Sequence, residues 1–160
     1  MSFSRLQHVI GVNVIGTMLS AREAVLRMLT KRGGAGGVIV NISSVASRLG
    51  SANTYVDYSA SKGAVNTFTI GLAQQVAAEG IRVNAVLPGI IDTEIHTSGG
   101  VADRISKLGP TLPMGRAGTA QEVANAIMWL LSEQASYVSG ALLEVSGLVK
   151  IKHCLSTIPH

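Results

Sequence analysis

Residues 38–42 read Val-Ile-Val-Asn-Ile. This stretch is mostly β-branched and lacks alternating polar residues, which is typical of a strand buried on both faces of a parallel sheet. Residues 81–87, Ile-Arg-Val-Asn-Ala-Val-Leu, predict a second strand. It should end at Pro88 and Gly89, because proline cannot donate to a sheet ladder and glycine permits the turn. Residues 141–145 predict a third strand, so the sequence indicates a short parallel sheet.

Three helices are predicted around these strands. Apolar residues recur at helical spacing over residues 4–31, 57–79 and 119–132. Thr119 and Glu122 have the spacing of a capping box, which marks the start of the last helix. Strand, helix and strand of these lengths form a βαβ unit, and such crossovers are right-handed. We therefore expect one α/β domain with three layers and about three parallel strands flanked by helices.

Two stretches are predicted to lack regular strands. Residues 43–56 are rich in Ser, Gly and Asn and indicate a loop. Residues 90–119 contain two prolines and a Gly-Gly pair, with weak periodicity only around residues 101–108. We predict a long loop there with one short helix inside it, and loops of that length are often binding lids.

Composition excludes several classes of protein. The net charge is +4, but the basic residues are scattered without interleaved aromatics, so no nucleic-acid partner is expected. Cys154 is the only cysteine, which rules out an internal disulfide and fits a reducing compartment. We see no apolar run of the length that a membrane span needs and no signal-peptide layout. The expectation is a cytoplasmic protein without a membrane partner.

Tyr58 and Lys62 are the first residues that suggest chemistry. They lie four apart at the start of a predicted helix, so both side chains should share one face. A neighbouring ammonium stabilises a phenolate relative to the phenol, and a tyrosine so placed can give or take a proton near neutral pH. The spacing alone is also compatible with an ordinary surface pair.

Ser44 directly follows the strand at residues 38–42. Open α/β sheets bind their ligands at the carboxyl ends of the strands, where a hydroxyl can hydrogen-bond a substrate oxygen. The alternative is a serine that caps a turn, and Ser43 beside it could exchange roles with Ser44.

Four motifs in this order resemble the short-chain dehydrogenase/reductase family, and its classical subgroup in particular. They are Asn41-Ile42-Ser43-Ser44, Tyr58-Ser59-Ala60-Ser61-Lys62, Arg82-Val83-Asn84, and Pro88-Gly89 followed by Thr93. The resemblance covers about residues 4–147 and is nearest to bacterial oxidoreductases of sugars or steroids. It implies a Rossmann-like domain over residues 1–147, and it leaves residues 148–160 as an atypical tail.

The resemblance also implies roles for individual residues. Tyr58 becomes the general acid/base, Lys62 its cationic partner and ribose anchor, and Ser44 the group that positions the substrate carbonyl or alcohol. Asn13 resembles the family's helix asparagine that holds a water in a proton relay. A helix-interior asparagine bonded to nearby backbone is the alternative for Asn13.

The cofactor implied is NAD or NADP, with no preference readable from the sequence. The resemblance gives Tyr58 and Lys62 a part in binding it. It also places the nicotinamide and phosphate side of the cofactor against the loop after the second strand, at Pro88, Gly89, Ile91 and Thr93. The partners implied are a small-molecule alcohol or carbonyl substrate and a second copy of the chain. The homo-oligomer would form through the helices that carry Asn13 and Tyr58.

The sequence departs from the family pattern in its first part, in one loop spacing and in its tail. The family's Gly-rich turn from strand to helix, which cradles the cofactor pyrophosphate, is not found. The glycine cluster at residues 33–37 follows a helix and enters a strand, which is the reverse order. The spacing from Ser44 to Tyr58 is one residue longer than usual. We therefore expect a truncated sheet and a catalytic half. Alternatives are a non-catalytic fragment that associates with full-length subunits, or an unstable product without a role.

Overall fold

The structure is a computed structural model, and it describes residues 1–93 and 108–149. Within this part of the chain the strands are β1 (Gly37–Ile42), β2 (Ile81–Pro88), β3 (Ile91–Asp92), β4 (Gly118–Thr119) and β5 (Leu142–Val145). Strands β1, β2 and β5 form one sheet in that order, and both pairings are parallel. The predicted three-stranded parallel sheet is confirmed. The two-residue pair of β3 with β4 is a second, parallel ladder that the sequence did not predict.

Four helices accompany the sheet among the described residues. Helix α1 spans Phe3–Met28, α2 Ala46–Leu49, α3 Val56–Val76 and α4 Ala120–Leu131. The three predicted helices are confirmed, whereas α2 lies inside a segment predicted as loop. The short helix predicted around residues 101–108 lies outside the described residues, except at Leu108, and so does most of the tail.

Helix α1 contains an irregularity that its apolar periodicity did not reveal. It is α-helical over Phe3–Ile10 and Thr17–Met28, and π-helical over Gly11–Gly16 between them. A π-helical turn inserts an extra residue into the helix and is frequent at functional sites. Asn13 lies in the middle of this turn.

The layers are set by which helices cover each face of the sheet. On one face the end of α1 and the second half of α3 pack on β1 and β2, around buried side chains of Leu29, Ala73, Val76, Ile81 and Val83. Helix α4 contacts the same two strands and contributes the fully buried Leu130. The predicted capping box of α4 is present in both directions. This is the expected three-layer α/β arrangement.

Two side chains of β2 hold the segment between α4 and β5. The Arg82 guanidinium donates to the carbonyls of Leu130, Ser132 and Val138. The fully buried Asn84 donates to the Val138 carbonyl and accepts from the Ala141 amide, both at 2.9 Å. These bonds satisfy backbone groups that would otherwise be buried without partners.

Replacing Asn84 by alanine should therefore lower the free energy of unfolding by about 2–4 kcal/mol, because the Ala141 amide loses its partner, the Val138 carbonyl keeps only the longer bond from Arg82, and a small cavity forms at a fully buried position. Denaturant unfolding measures this loss. Asn125→Ala on an exposed face of α4 is the matched control, and its effect should stay within about 0.5 kcal/mol. Equal stability of Asn84→Ala and the control would contradict the assignment.

Helix α1 is long and apolar enough to cross a membrane, judged by length and composition alone. The expectation that no segment reaches this length was wrong. A core helix of a soluble protein and a signal sequence pass the same test, so the finding is weak on its own. Here the helix is bonded to α3 at two places, through Arg5 and Asn13, as expected for one layer of an α/β domain.

Candidate active site

The carboxyl ends of β1 and β2 meet at one edge of the sheet, as parallel strands require. Ser43 and Ser44 leave β1 there, and Gly89 leaves β2. Gly89 must be a glycine, because a Cβ at this position would lie 2.7 Å from the Cα of Ser146. This close approach brings the turn after β2 against the end of β5.

Helix α3 presents Tyr58 and Lys62 at this edge. Both side chains are half-buried, and the Lys62 Nζ lies 5.7 Å from the centre of the Tyr58 ring. The Lys62 ammonium donates to the Ile42 carbonyl at 2.8 Å, which fixes it beside the end of β1. Burial lowers the pKa of Lys62 below its ordinary value. Tyr58 and Lys62 therefore lie at the end of β1. They do not form the ordinary surface pair that their spacing alone would also allow.

The two serines after β1 have different surroundings. Ser43 is buried, and its hydroxyl donates to the Lys62 carbonyl at 3.1 Å. Ser44 is half-buried, and its Oγ accepts the Ala46 amide at 3.1 Å. The hydroxyl proton of Ser44 thus has no partner among the described residues and can be donated to a substrate oxygen. This geometry favours Ser44 over Ser43 for a substrate contact.

Asn13 is bonded across to helix α3. Its Nδ2 donates to the Ser61 hydroxyl at 3.0 Å, and that hydroxyl donates to the Tyr58 carbonyl at 2.7 Å. Asn13 thus bonds a residue 48 positions away, whereas the alternative placed its side chain on nearby backbone. Asn13 and Lys62 also line one cleft, which has a volume of about 700 Å³.

The residues assigned to the cofactor follow β2 in the structure. Pro88 ends that strand, Ile91 lies in β3, and Thr93 directly follows β3. Pro88, Gly89, Ile91 and Thr93 are all half-buried. A half-buried hydroxyl, a close-packed glycine turn and the Lys62 ammonium suit the nicotinamide and ribose end of a dinucleotide.

The glycine cluster at residues 33–37 does not offer a pyrophosphate cradle. It leads the chain from α1 into β1, and a Cβ on Gly34 would lie 2.4 Å from the Met28 carbonyl oxygen. Gly36 has a positive φ of 76°, and a Cβ there would lie 2.6 Å from the Gly80 carbonyl oxygen. These glycines are needed for packing at the amino end of β1, away from the site.

Comparison with known proteins decides the family. Residues 1–147 match the family model described as "Enoyl-(Acyl carrier protein) reductase". The chain is 57% identical over 143 residues to "Uncharacterized oxidoreductase YgfF" of Escherichia coli. A solved "Short-chain dehydrogenase/reductase SDR:Glucose/ribitol dehydrogenase" from Brucella melitensis superimposes with a TM-score of 0.81 at 29% identity. The chain belongs to the short-chain dehydrogenase/reductase family.

Coverage of these short-chain dehydrogenase/reductases is partial. The E. coli match includes 89% of this chain but 58% of that protein, and the Brucella match includes 94% of this chain and 58% of that one. A third relative, a "4-hydroxyisoleucine dehydrogenase mutant complexed with NADH and succinate", has a TM-score of 0.80 at 28% identity over 91% of this chain and 59% of its own. The chain therefore spans somewhat more than half the length of the relatives it matches.

The sequence did not reveal the ion pair of Asp57 with Arg5, which lies next to Tyr58. The Asp57 side chain is only 4% exposed; its carboxylate accepts the Tyr58 amide at 2.9 Å and both an Nε and an Nη of Arg5. The hydrogen bonds from Arg5 hold the pKa of Asp57 below its ordinary value. Together they fasten the first turn of α3, which carries Tyr58, to the start of α1. An acidic residue in a first helical turn is a weak signal, and nothing in the sequence pairs it with Arg5.

Proposed function

We propose that this chain carries the catalytic groups of an NAD(P)-dependent oxidoreductase that interconverts an alcohol and a carbonyl. The observation that supports this most is that the half-buried Lys62, which lies over the Tyr58 ring, donates to the Ile42 carbonyl at the carboxyl end of β1, two residues before Ser44. Its family membership supports the same reaction class. When bound, the nicotinamide supplies or accepts the hydride.

The protein's own contribution is to position the substrate oxygen and to move one proton. Ser44 accepts the Ala46 amide with its Oγ and donates its hydroxyl hydrogen, which has no acceptor among the described residues, to that oxygen. The Tyr58 hydroxyl gives the proton to a carbonyl oxygen on reduction and takes it from the alcohol on oxidation. Lys62 uses one of its three N–H groups on Ile42 and keeps two for the phenolate side and the cofactor ribose.

Asn13 is proposed to hold a water that passes protons between Lys62 and solvent. Its position supports this, because Asn13 and Lys62 line one cleft and Asn13 lies in a π-helical turn, a feature that is frequent at functional sites. The Ser61 bridge keeps the Asn13 amide pointed toward the first turn of α3.

The substrate is a small alcohol or carbonyl compound, the cofactor is NAD or NADP, and the compartment is the cytoplasm. We propose a homo-oligomer through α1 and α3, supported by the exposed apolar side chains of Ile15, Met18, Leu19 and Ile70 on these helices. The second candidate, a non-catalytic fragment that binds full-length relatives, is supported by the same exposed surface.

A hybrid protein tests the catalytic proposal. In it the 143 matched residues of the E. coli relative are replaced by those of this chain, and NAD(P)H turnover is followed with sugar, polyol and steroid alcohols and ketones. Ser44→Ala should lower turnover about 10²-fold, because one donor to the reacting oxygen is lost. Ser43→Ala should lower stability and leave most of the turnover. Unchanged rates in Ser44→Ala would remove Ser44 from the mechanism.

A further inference from the structure

The single helical turn α2 begins two residues after Ser44 and is hydrogen-bonded to both its carbonyl and its side chain. The Ser44 carbonyl accepts the amide of Ser47 at 3.1 Å and the hydroxyl of Ser47 at 2.6 Å. The Ser44 Oγ accepts the Ala46 amide. A helix of one turn has little stability of its own, because its few bonds do not offset the cost of ordering its residues. The orientation of Ser44 therefore depends on what holds α2 in place.

The hydroxyl of Ser47 is held in turn by helix α3. Asn66 lies one turn after Lys62 on that helix, and its Nδ2 donates to the Ser47 Oγ at 2.8 Å across 19 positions in the chain. Since Ser47 gives its only hydroxyl hydrogen to the Ser44 carbonyl, its Oγ faces Asn66 as an acceptor, which an amide N–H satisfies. The hydrogen bonds therefore run in one direction, from Asn66 to Ser47 to Ser44.

The peptide group between Ser44 and Val45 is bonded at both of its polar atoms. The Val45 amide donates to the Pro88 carbonyl of β2 at 3.1 Å, and the Val45 side chain is buried. The sheet thus fixes the Val45 end of this peptide group. The Ser44 carbonyl at its other end is fixed by Ser47, and through Ser47 by helix α3.

The end of β1 is joined to α3 at two successive turns of that helix. The Ser43 hydroxyl donates to the Lys62 carbonyl, and Asn66 reaches Ser47 one turn later. One rigid helix therefore sets the position of Ser44 relative to the acid/base group that the same helix carries. Sites are held precisely when their polar groups are supported in this way by bonded neighbours.

The other end of the Asn66 amide has no partner. Its Oδ1 is buried, and no hydrogen-bond donor among the described residues reaches it. Burying a polar atom without a partner costs free energy of folding, and an apolar side chain of similar size would avoid that cost. The amide is therefore poorly suited to a purely structural role. Its bond to Ser47 is what it has and an apolar residue would lack.

We propose that Asn66 is a positioning residue of the active site, which orients the Ser44 hydroxyl toward the substrate through Ser47. The inference rests on the proposed function, because it takes Ser44 to be the donor to the substrate oxygen. Asn66 acts on the reaction only through the two serines. A misplacement of about 1 Å can cost about 10²-fold in rate, so a short chain of hydrogen bonds is enough to affect turnover.

Asn66→Leu in the hybrid protein tests this inference. Leucine is close to asparagine in size, but it cannot donate to Ser47. We expect kcat to fall about tenfold, with the cofactor KM and the pH profile unchanged, because Tyr58 and Lys62 stay in place. The free energy of unfolding should change little, since the unpartnered Oδ1 is removed together with the donor. Gln74→Leu, at an exposed position of the same helix, is the matched control and should keep kcat within about twofold.

Ser47 provides a second variant and a rescue. Ser47→Ala should lower kcat as much as Asn66→Leu does, and Ser47→Thr, which keeps the hydroxyl, should retain most of the rate. The two losses should not add in the double variant, because both break one chain of bonds. In a Ser44→Ala background Asn66→Leu should change kcat by less than about twofold, since no hydroxyl remains to be oriented. A merely structural role would lower kcat equally in both backgrounds.

Two results would overturn the inference and leave the proposed function standing. One is normal kcat in both Asn66→Leu and Ser47→Ala while Ser44→Ala is slow. The other is a loss in Asn66→Leu that is equally large with and without the Ser44 hydroxyl. Normal turnover in Ser44→Ala would instead count against the proposed function, and the inference would fall with it.

Discussion

Tyr58→Phe should abolish turnover in the hybrid protein, with a loss of about 10³-fold or more. The change removes only the hydroxyl that gives or takes the proton, and general acid/base groups contribute about 10²–10⁴-fold. The ring keeps its packing, and the bonds of the first turn of α3 to Asp57 and Ser61 involve the Tyr58 backbone. Stability and cofactor affinity should therefore change little. Steady-state rates, denaturant unfolding and cofactor titration measure the three quantities.

Tyr55→Phe is the matched control for this experiment. Tyr55 lies three residues earlier, just before helix α3, and is 42% exposed. Its replacement should leave turnover within about twofold of the parent hybrid. Normal rates in Tyr58→Phe, or equal losses in the two variants, would mean that Tyr58 is not the proton donor.

The second large effect concerns the 160-residue chain by itself. We expect its affinity for NADH and NADPH to be at least about 100-fold weaker than the micromolar range of intact dehydrogenases. A dinucleotide gains much of its binding energy from backbone amides at a Gly-rich turn and a helix N-terminus. The described glycine turn at residues 33–37 runs from helix to strand and packs against Met28 and Gly80. It therefore cannot supply those amides.

Calorimetric titration measures this affinity, and the hybrid protein is the control that should bind in the micromolar range. Light scattering on the same sample reports self-association through the exposed apolar face of α1, which we also expect. Saturable micromolar binding by a monomer of the 160-residue chain would show that Lys62, Thr93 and their neighbours suffice for the cofactor.

The strands of the sheet could be predicted because the pattern of each strand lies in residues that are adjacent in the sequence. The β-branched run at residues 38–42 and the Pro88-Gly89 break lie within one element each, and the observed bounds differ from the predicted ones by one residue. The capping box at Thr119 was found for the same reason. By contrast, helix α2 was missed because Ala46–Leu49 is a single turn, too short for any periodicity to register.

The sequence predicts which residues form the site, but it does not predict the hydrogen bonds between them. Tyr58 and Lys62 are four apart on one helix, so their proximity follows from helix geometry. The bridge from Asn13 to Ser61 spans 48 residues, and that from Arg5 to Asp57 spans 52. Such pairs depend on how α1 packs on α3. The choice between Ser43 and Ser44 likewise needed the observed burial of Ser43.

The pH dependence of turnover in the hybrid protein tests the central claim, that Lys62 holds Tyr58 ready for proton transfer. In the direction of alcohol oxidation the rate should rise with pH, because the acid/base group must take a proton from the alcohol. Lys62→Met should lower the rate and move the rising limb to higher pH, because the phenolate loses its neighbouring cation. Superimposable profiles for the parent hybrid and Lys62→Met would contradict the claim.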